Sequence, residues 1–157
     1  MLKIFFLLHA SLLSTDLLAA EFSLISPCND TKVINEMITL PRDGEVLTVG
    51  DISIATLDSY EIPYLGTQRG FNSILNTPTG LDSLIVLDDN EMLSYGWCFS
   101  VNEKTPEVYP DQYVIEVGDQ IVWWYGYAHY KNGEWIDQCV PASSRTKPEF
   151  CHNAKAK

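Results

Sequence analysis

Runs of β-forming residues alternate with turn signals along most of the chain. "VINEMITL" (33–40) closes at Pro41-Arg42-Asp43-Gly44, "DSLIVLDD" (82–89) ends in an acidic turn, and "YGWCFSVN" (95–102) leads into a proline-containing loop. "IVWWYGYAHY" (121–130) is the most aromatic strand. Asn132-Gly133, the strongest short hairpin signal, follows it and sends "EWIDQC" back as a return strand. One segment has helical spacing: in "DISIATLDSY", Asp51 is placed to cap a short helix with Ile54 and Leu57 turned to the core at i, i+3. Residues 21–32 are expected to form a polar leader. "EIPYLGTQRGFNSILNTPTG" (61–80), with three glycines and two prolines, is expected to be a long irregular connection. Many short strands and one helix predict an α+β fold with a mostly antiparallel sheet.

The first twenty residues change the picture. Lys3, an apolar run from Ile4 to Leu13, and small residues at Ala19 and Ala20 have the layout of a secretory signal peptide, with a cut expected after Ala20. The run is too short to span a bilayer, and no second apolar segment follows. The expected organisation is therefore a signal peptide (1–20), one domain (21–140) and a polar tail (141–157), secreted or periplasmic. A formal net charge of −11 argues against nucleic acid and against anionic membrane surfaces, both of which need a basic stripe. The partners left are an unidentified small molecule or protein.

Cys28, Cys98, Cys139 and Cys151 form an even set, which in an exported chain implies two disulfides. With no Cys-x-x-Cys spacing, the residues give no zinc signal, and no metal ligand set is assigned. One pairing joins Cys98 to Cys139 and Cys28 to Cys151. It requires the hairpin to return on the Cys98 side, because two strands flanking a central one lie about 9–10 Å apart. The alternative joins Cys139 to Cys151 and Cys28 to Cys98. Asn29-Asp30-Thr31 is a glycosylation sequon that matters only in a host that glycosylates such sites.

Residues 95–125 carry a longer pattern: Trp97, Phe99, Val101 and Asn102, then Asp111, Gln112 and Tyr113, then Gly118, Asp119, Ile121, Trp123 and Tyr125. It resembles the transcobalamin C-terminal-like family of exported domains, with a looser match extending over about residues 33–128. Glu103 departs from that pattern, where glycine is usual, and makes the turn after Asn102 less certain. The resemblance implies a β-grasp-like, mostly antiparallel sheet packed on one short helix, here with an added C-terminal hairpin. In the vitamin B12 carriers such a domain forms one wall of the cobalamin site beside a large helical domain. No helical partner domain is expected beside it here, so corrinoid binding does not transfer by fold alone, and no cofactor is assigned.

Successive residues of a strand point to opposite faces. The family pattern turns Ile121, Trp123, Tyr125, Tyr127 and His129 toward the core. The opposite parity then offers Val122, Trp124 and Tyr130 as candidate ligand-binding residues, with Gly126 and Ala128 leaving a flat floor beside the Trp124 indole. The competing expectation is that the leader, the tail or the 61–80 connection covers Trp124. Asp88, Asp89, Asn90 and Glu91 lack the spacing of a calcium loop and are expected to be a solvated turn. Neither Ser94 with His129 nor the Asp89 and Glu91 carboxylates form a recognisable catalytic arrangement, and no Gly-x-Ser-x-Gly elbow exists, so no catalytic residue is assigned. Asp119 is expected to satisfy backbone amides of its turn. The function expected is an exported, non-catalytic binding or interaction module, the alternative being an envelope hydrolase with a site built from loops.

Overall fold

The structure is a computed structural model that describes residues 18–42, 45–144 and 150–153, the last two as backbone only. The expected signal peptide lies outside the described residues up to position 17. The elements run β1 (Ala19–Ile25), β2 (Lys32–Thr39), α1 (Val49–Ser59), β3 (Tyr64–Thr67), β4 (Gly70–Ile74), β5 (Leu84–Asp88), β6 (Glu91–Val101), β7 (Gln120–Lys131) and β8 (Glu134–Pro141), followed by a helical turn at Phe150–Asn153.

This corrects the expected fold class: the molecule is β-rich rather than α+β, with one main helix, and its main sheet is mixed although four of its five strand pairings are antiparallel. Its main sheet has the order β2-β1-β7-β6-β5, with β8 also paired to β7, and a separate hairpin is formed by β3 and β4. The main sheet is mixed, because β1 runs parallel to β7, with Phe22 beside Ile121 and Leu24 beside Trp123. Two segments expected to be irregular supply the extra strands. The polar leader contributes most of β1, which begins at Ala19, within the expected signal peptide, and whose Phe22 and Leu24 are completely buried. The 61–80 connection contains β3 and β4, turned at Gln68 and Arg69.

The helix forms where its spacing predicts, but its cap is one turn earlier. Thr48 is the N-cap, and its hydroxyl accepts from the Asp51 amide (3.2 Å) while the Asp51 carboxylate accepts from the Thr48 amide (3.1 Å), a reciprocal capping box. Ile52, Ser53 and Leu57 are buried, with Ile54 only partly so. Trp123 donates its indole N–H to the Ser53 hydroxyl at 2.8 Å, fixing the central strand to the helix. At the start of α1, a Cβ on Gly50 would stand 2.1 Å from the Gln68 carbonyl oxygen. That close approach seats the β3–β4 turn against the helix.

Only the first half of the inner face of β7 packs against this helix side. Ile121 and Trp123 join Phe22, Leu24, Val49, Leu57 and Phe71 in one cluster. Tyr125 and Tyr127 join Leu93, Tyr95 and Ala142 in a second, closed by Phe150 edge-on to Tyr125. Burial there pushes the Tyr125 phenol far above its ordinary value, and the neighbouring Tyr95 adds to the rise.

The disulfides are Cys28–Cys151 and Cys98–Cys139, with Cα separations of 5.3 and 5.8 Å. β6 and β8 flank β7 on opposite sides, and Gly126 solves the spacing problem this poses. A Cβ there would meet the Val140 carbonyl oxygen at 2.9 Å and the Cys139 carbonyl carbon at 3.2 Å. The backbone of β8 therefore bulges over β7 at this point, with Cys139 at a left-handed φ of 55°, and delivers its sulfur to Cys98. Disulfides form and persist in oxidising compartments, so the two bonds suggest a location outside the cytoplasm. Among the described residues no helix is long and apolar enough to cross a membrane.

Candidate functional site

The three candidate residues on the second face of β7 are all half-buried, and the structure does not bring them together. Val122 lies between Ser23 of β1 and Ser100 of β6. Trp124 sits beside Cys98 and donates its indole N–H to the Cys139 carbonyl at 3.0 Å. Tyr130 is six residues further along, about 20 Å at the rise of an extended strand, and its ring meets Trp135 edge-on at 5.3 Å. Between them the floor at Gly126 is occupied by Cys139 and Val140. What covers Trp124 is thus the C-terminal hairpin, held there by a disulfide.

The other candidates separate as strand parity requires. Ser94 pairs with Ala128, and Leu93 pairs with His129, so Ser94 and His129 occupy neighbouring positions on opposite faces. His129 is buried, with Nε2 2.7 Å from Glu91 Oε1, and Lys131 approaches the other Glu91 oxygen at 3.0 Å. Hydrogen bonds from Lys131 and then His129 hold the Glu91 carboxyl below its ordinary value of 4.5. Asp88 accepts from the Asn90 amide at 2.7 Å, closing the acidic turn on itself. Asp119 accepts from the Glu116 amide (2.9 Å) and the Asn102 side-chain amide (2.7 Å). Asn102 in turn accepts from the Gln120 amide at 2.9 Å. Asp119 and Asn102 are therefore a structural clamp at the start of β7. Among the described residues no group of three or more His, Cys, Asp or Glu side chains is placed to hold a metal ion.

A broad concavity lies elsewhere. A groove of about 610 Å³ follows the edge of β6 beyond the reach of β5. β5 pairs with β6 only from Glu91 to Ser94. From Gly96 to Ser100, among the described residues, no strand lies on the far side of β6, so the groove reaches both faces of the sheet. On the inner face its wall is the β3–β4 hairpin, chiefly Phe71 and Asn72; on the outer face it is Gln138 and Cys139. The loop carrying Thr105, Pro106, Val108 and Tyr109 closes one end. The Trp97 ring lines the groove with its N–H bonded to the Thr77 hydroxyl at 2.9 Å. Tyr109 is half exposed, and the Arg69 guanidinium lies 4.1 Å over its ring, within cation–π range. Arg69 is the one charged residue of the lining among the described residues.

Trp97 and Phe99 look like core residues by their strand pattern. Phe71, Arg69 and Tyr109 fall in segments whose glycines and prolines argue for loops. No periodicity points to such a groove, since it depends on a strand that stops four residues into its partner.

Residues 80–127 match the family model of a domain of unknown function (DUF4430). That stretch holds β5, β6, the loop at the end of the groove and most of β7. It excludes the β3–β4 wall and the covering strand β8. No curated protein and no solved structure matches the chain.

Proposed function

We propose that the chain is an exported, non-catalytic binding module whose ligand occupies the groove along the edge of β6. One observation carries this reading: this groove is walled by Phe71, Trp97 and Tyr109, with Asn72, Thr105 and Gln138 among them, and among the described residues no carboxylate or histidine lines it. Apolar and aromatic walls with a few polar groups make a recognition surface. Hydrolysis of the usual kinds needs a base or a paired acid at the reacting atoms, and the buried His129 with its partner Glu91 lies away from the groove, at the hairpin end of the sheet.

The resemblance of residues 95–125 to the transcobalamin C-terminal domain supports a binding role, without fixing the ligand. Val122, Trp124 and Tyr130 form a poorer site on this reading, because β8 already fills the floor between the last two. The test is binding of a panel of probes to the secreted protein: oligosaccharides, short peptides, aromatic acids and hydroxocobalamin. Tyr109→Ala and Arg69→Ala are expected to weaken the probe that binds by roughly tenfold or more, as loss of a stacking contact and its cation implies. Unchanged affinity in both variants, with a loss in Trp124→Ala, would move the site to the other face.

A further inference from the structure

Along β6 the direction of each backbone group follows from one local contact. Val101 exchanges both of its main-chain hydrogen bonds with Lys104, at 2.9 and 3.0 Å, and so turns its N–H and C=O away from β7. Asn102, the next residue, donates instead toward β7, to the Gln120 carbonyl at 3.0 Å. The β6–β7 register is unbroken from Glu91 to Val101, and in an antiparallel ladder these directions alternate strictly. Phe99 and Trp97 therefore point their N–H and C=O outward as well, at intervals of about 7 Å. β5 has ended by then, and among the described residues no main-chain group pairs with them.

These outward groups face the groove, whose two walls lie on opposite faces of the sheet. A slot with a row of alternating donors and acceptors along its base, open on both sides of the sheet plane, has the shape of a missing strand. From this geometry we infer that the occupant is an extended peptide segment that adds to β6 as a further strand beside Trp97 and Phe99. The inference rests on the groove being the binding site, and it names the ligand class. Only another extended main chain repeats donors and acceptors at that interval. Its side chains alternate in turn. Those beside the Trp97, Phe99 and Phe71 rings are apolar or aromatic, and those between them face Gln138 and the Cys98–Cys139 bond. Edge strands left open like this are normally blunted by charge or proline. Gly96, Trp97, Cys98 and Phe99 carry neither.

The test uses the whole disulfide-bonded protein and a phage-displayed library of random twelve-residue peptides. Enriched peptides are resynthesised with one N-methyl amide at each position in turn. Strand addition predicts at least a tenfold loss at alternate positions and little change between them. Amide hydrogen exchange should slow at Trp97 and Phe99 on binding, while Cys98 and Ser100, already bonded to β7, keep their rates. Peptides that shift Arg69 and Tyr109 resonances without that alternation would overturn strand addition and leave the groove standing. Enrichment of nothing, or only of peptides that bind away from the groove, overturns strand addition as well; the probe panel with Tyr109→Ala then decides the groove separately.

Discussion

The indole N–H of Trp124 is bonded to the main-chain carbonyl of Cys139 at 3.0 Å, on the sheet face opposite Trp123. Trp123, its neighbour in sequence, is 1 % exposed and bonded to Ser53 of the helix. Both indoles are thus claimed by the fold, one by the core and one by the hairpin that crosses over it.

Their unequal burial gives the first expectation. Trp123→Ala should cost about 3–5 kcal/mol by opening a cavity between β7, α1 and Phe71. Trp124→Ala should cost about 1–2 kcal/mol, through one lost hydrogen bond and partial packing. Thermal melts of the two variants side by side check the order, and equal losses would mean that the second face is a core in its own right.

Gly126 is the position that lets Cys139 reach Cys98. Gly126→Ala places a methyl group against the Val140 carbonyl and is expected to cost about 1–3 kcal/mol as overpacking against backbone. It should also leave a fraction of Cys98 and Cys139 unpaired after oxidative refolding, which thiol titration reads directly. Full pairing with unchanged stability would show that β8 shifts to accommodate the methyl group. Replacing both cysteines by alanine should cost about 4 kcal/mol by loop entropy, for a separation of 41 residues.

The turn after Asn102 does form, although Glu103 stands where glycine is usual in the resembling family. Asn102 and Glu103 both adopt the left-handed region, at φ 52° and 66°. A side chain is disfavoured there, so Glu103→Gly is expected to stabilise the protein by about 0.5–1 kcal/mol. A denaturant titration measures it, and a loss of stability would mean that the Glu103 side chain contributes contacts that outweigh the strain.

Most strands, the helix and the Asn132-Gly133 hairpin with Lys131 opposite Glu134 follow from local pattern. Those segments combine periodicity with turn chemistry that agrees with it. The misses have a common cause. β1 straddles the end of the expected signal peptide, and its place between β2 and β7 depends in part on parallel pairing with a strand about a hundred residues away. β3 and β4 carry two glycines that read as loop signals: Gly66, where a Cβ would stand 2.4 Å from the Gly70 carbonyl oxygen, and Gly70 itself, at a φ of 147°. The balanced α+β expectation failed because both lost segments were strands. At the candidate site, parity correctly split Trp123 from Trp124. It could not show that a strand after the hairpin would lie over the second face, or that β5 would end early and leave a groove.

Glu91 makes stability depend on pH. Its carboxyl is held below its ordinary value by Lys131 and His129, so its contribution is present above about pH 4.5 and is lost as pH falls through the lower folded-state value. Melting temperatures of the wild type and Glu91→Gln, taken from pH 7 down to 3, should therefore converge at the acid end. A gap that stays constant across the range would mean that the ion pairs do not set the acid limb.

The most direct test of the binding groove is the set of four tryptophan indole N–H signals in a nitrogen-15 correlation spectrum, recorded as a bound probe from the panel is added. The Trp97 signal should move, with the backbone signals of Phe71 and Tyr109, while that of Trp124 stays in place under Cys139. Movement at Trp124 and Tyr130 with Trp97 unchanged would contradict the account and return the site to the second face of β7.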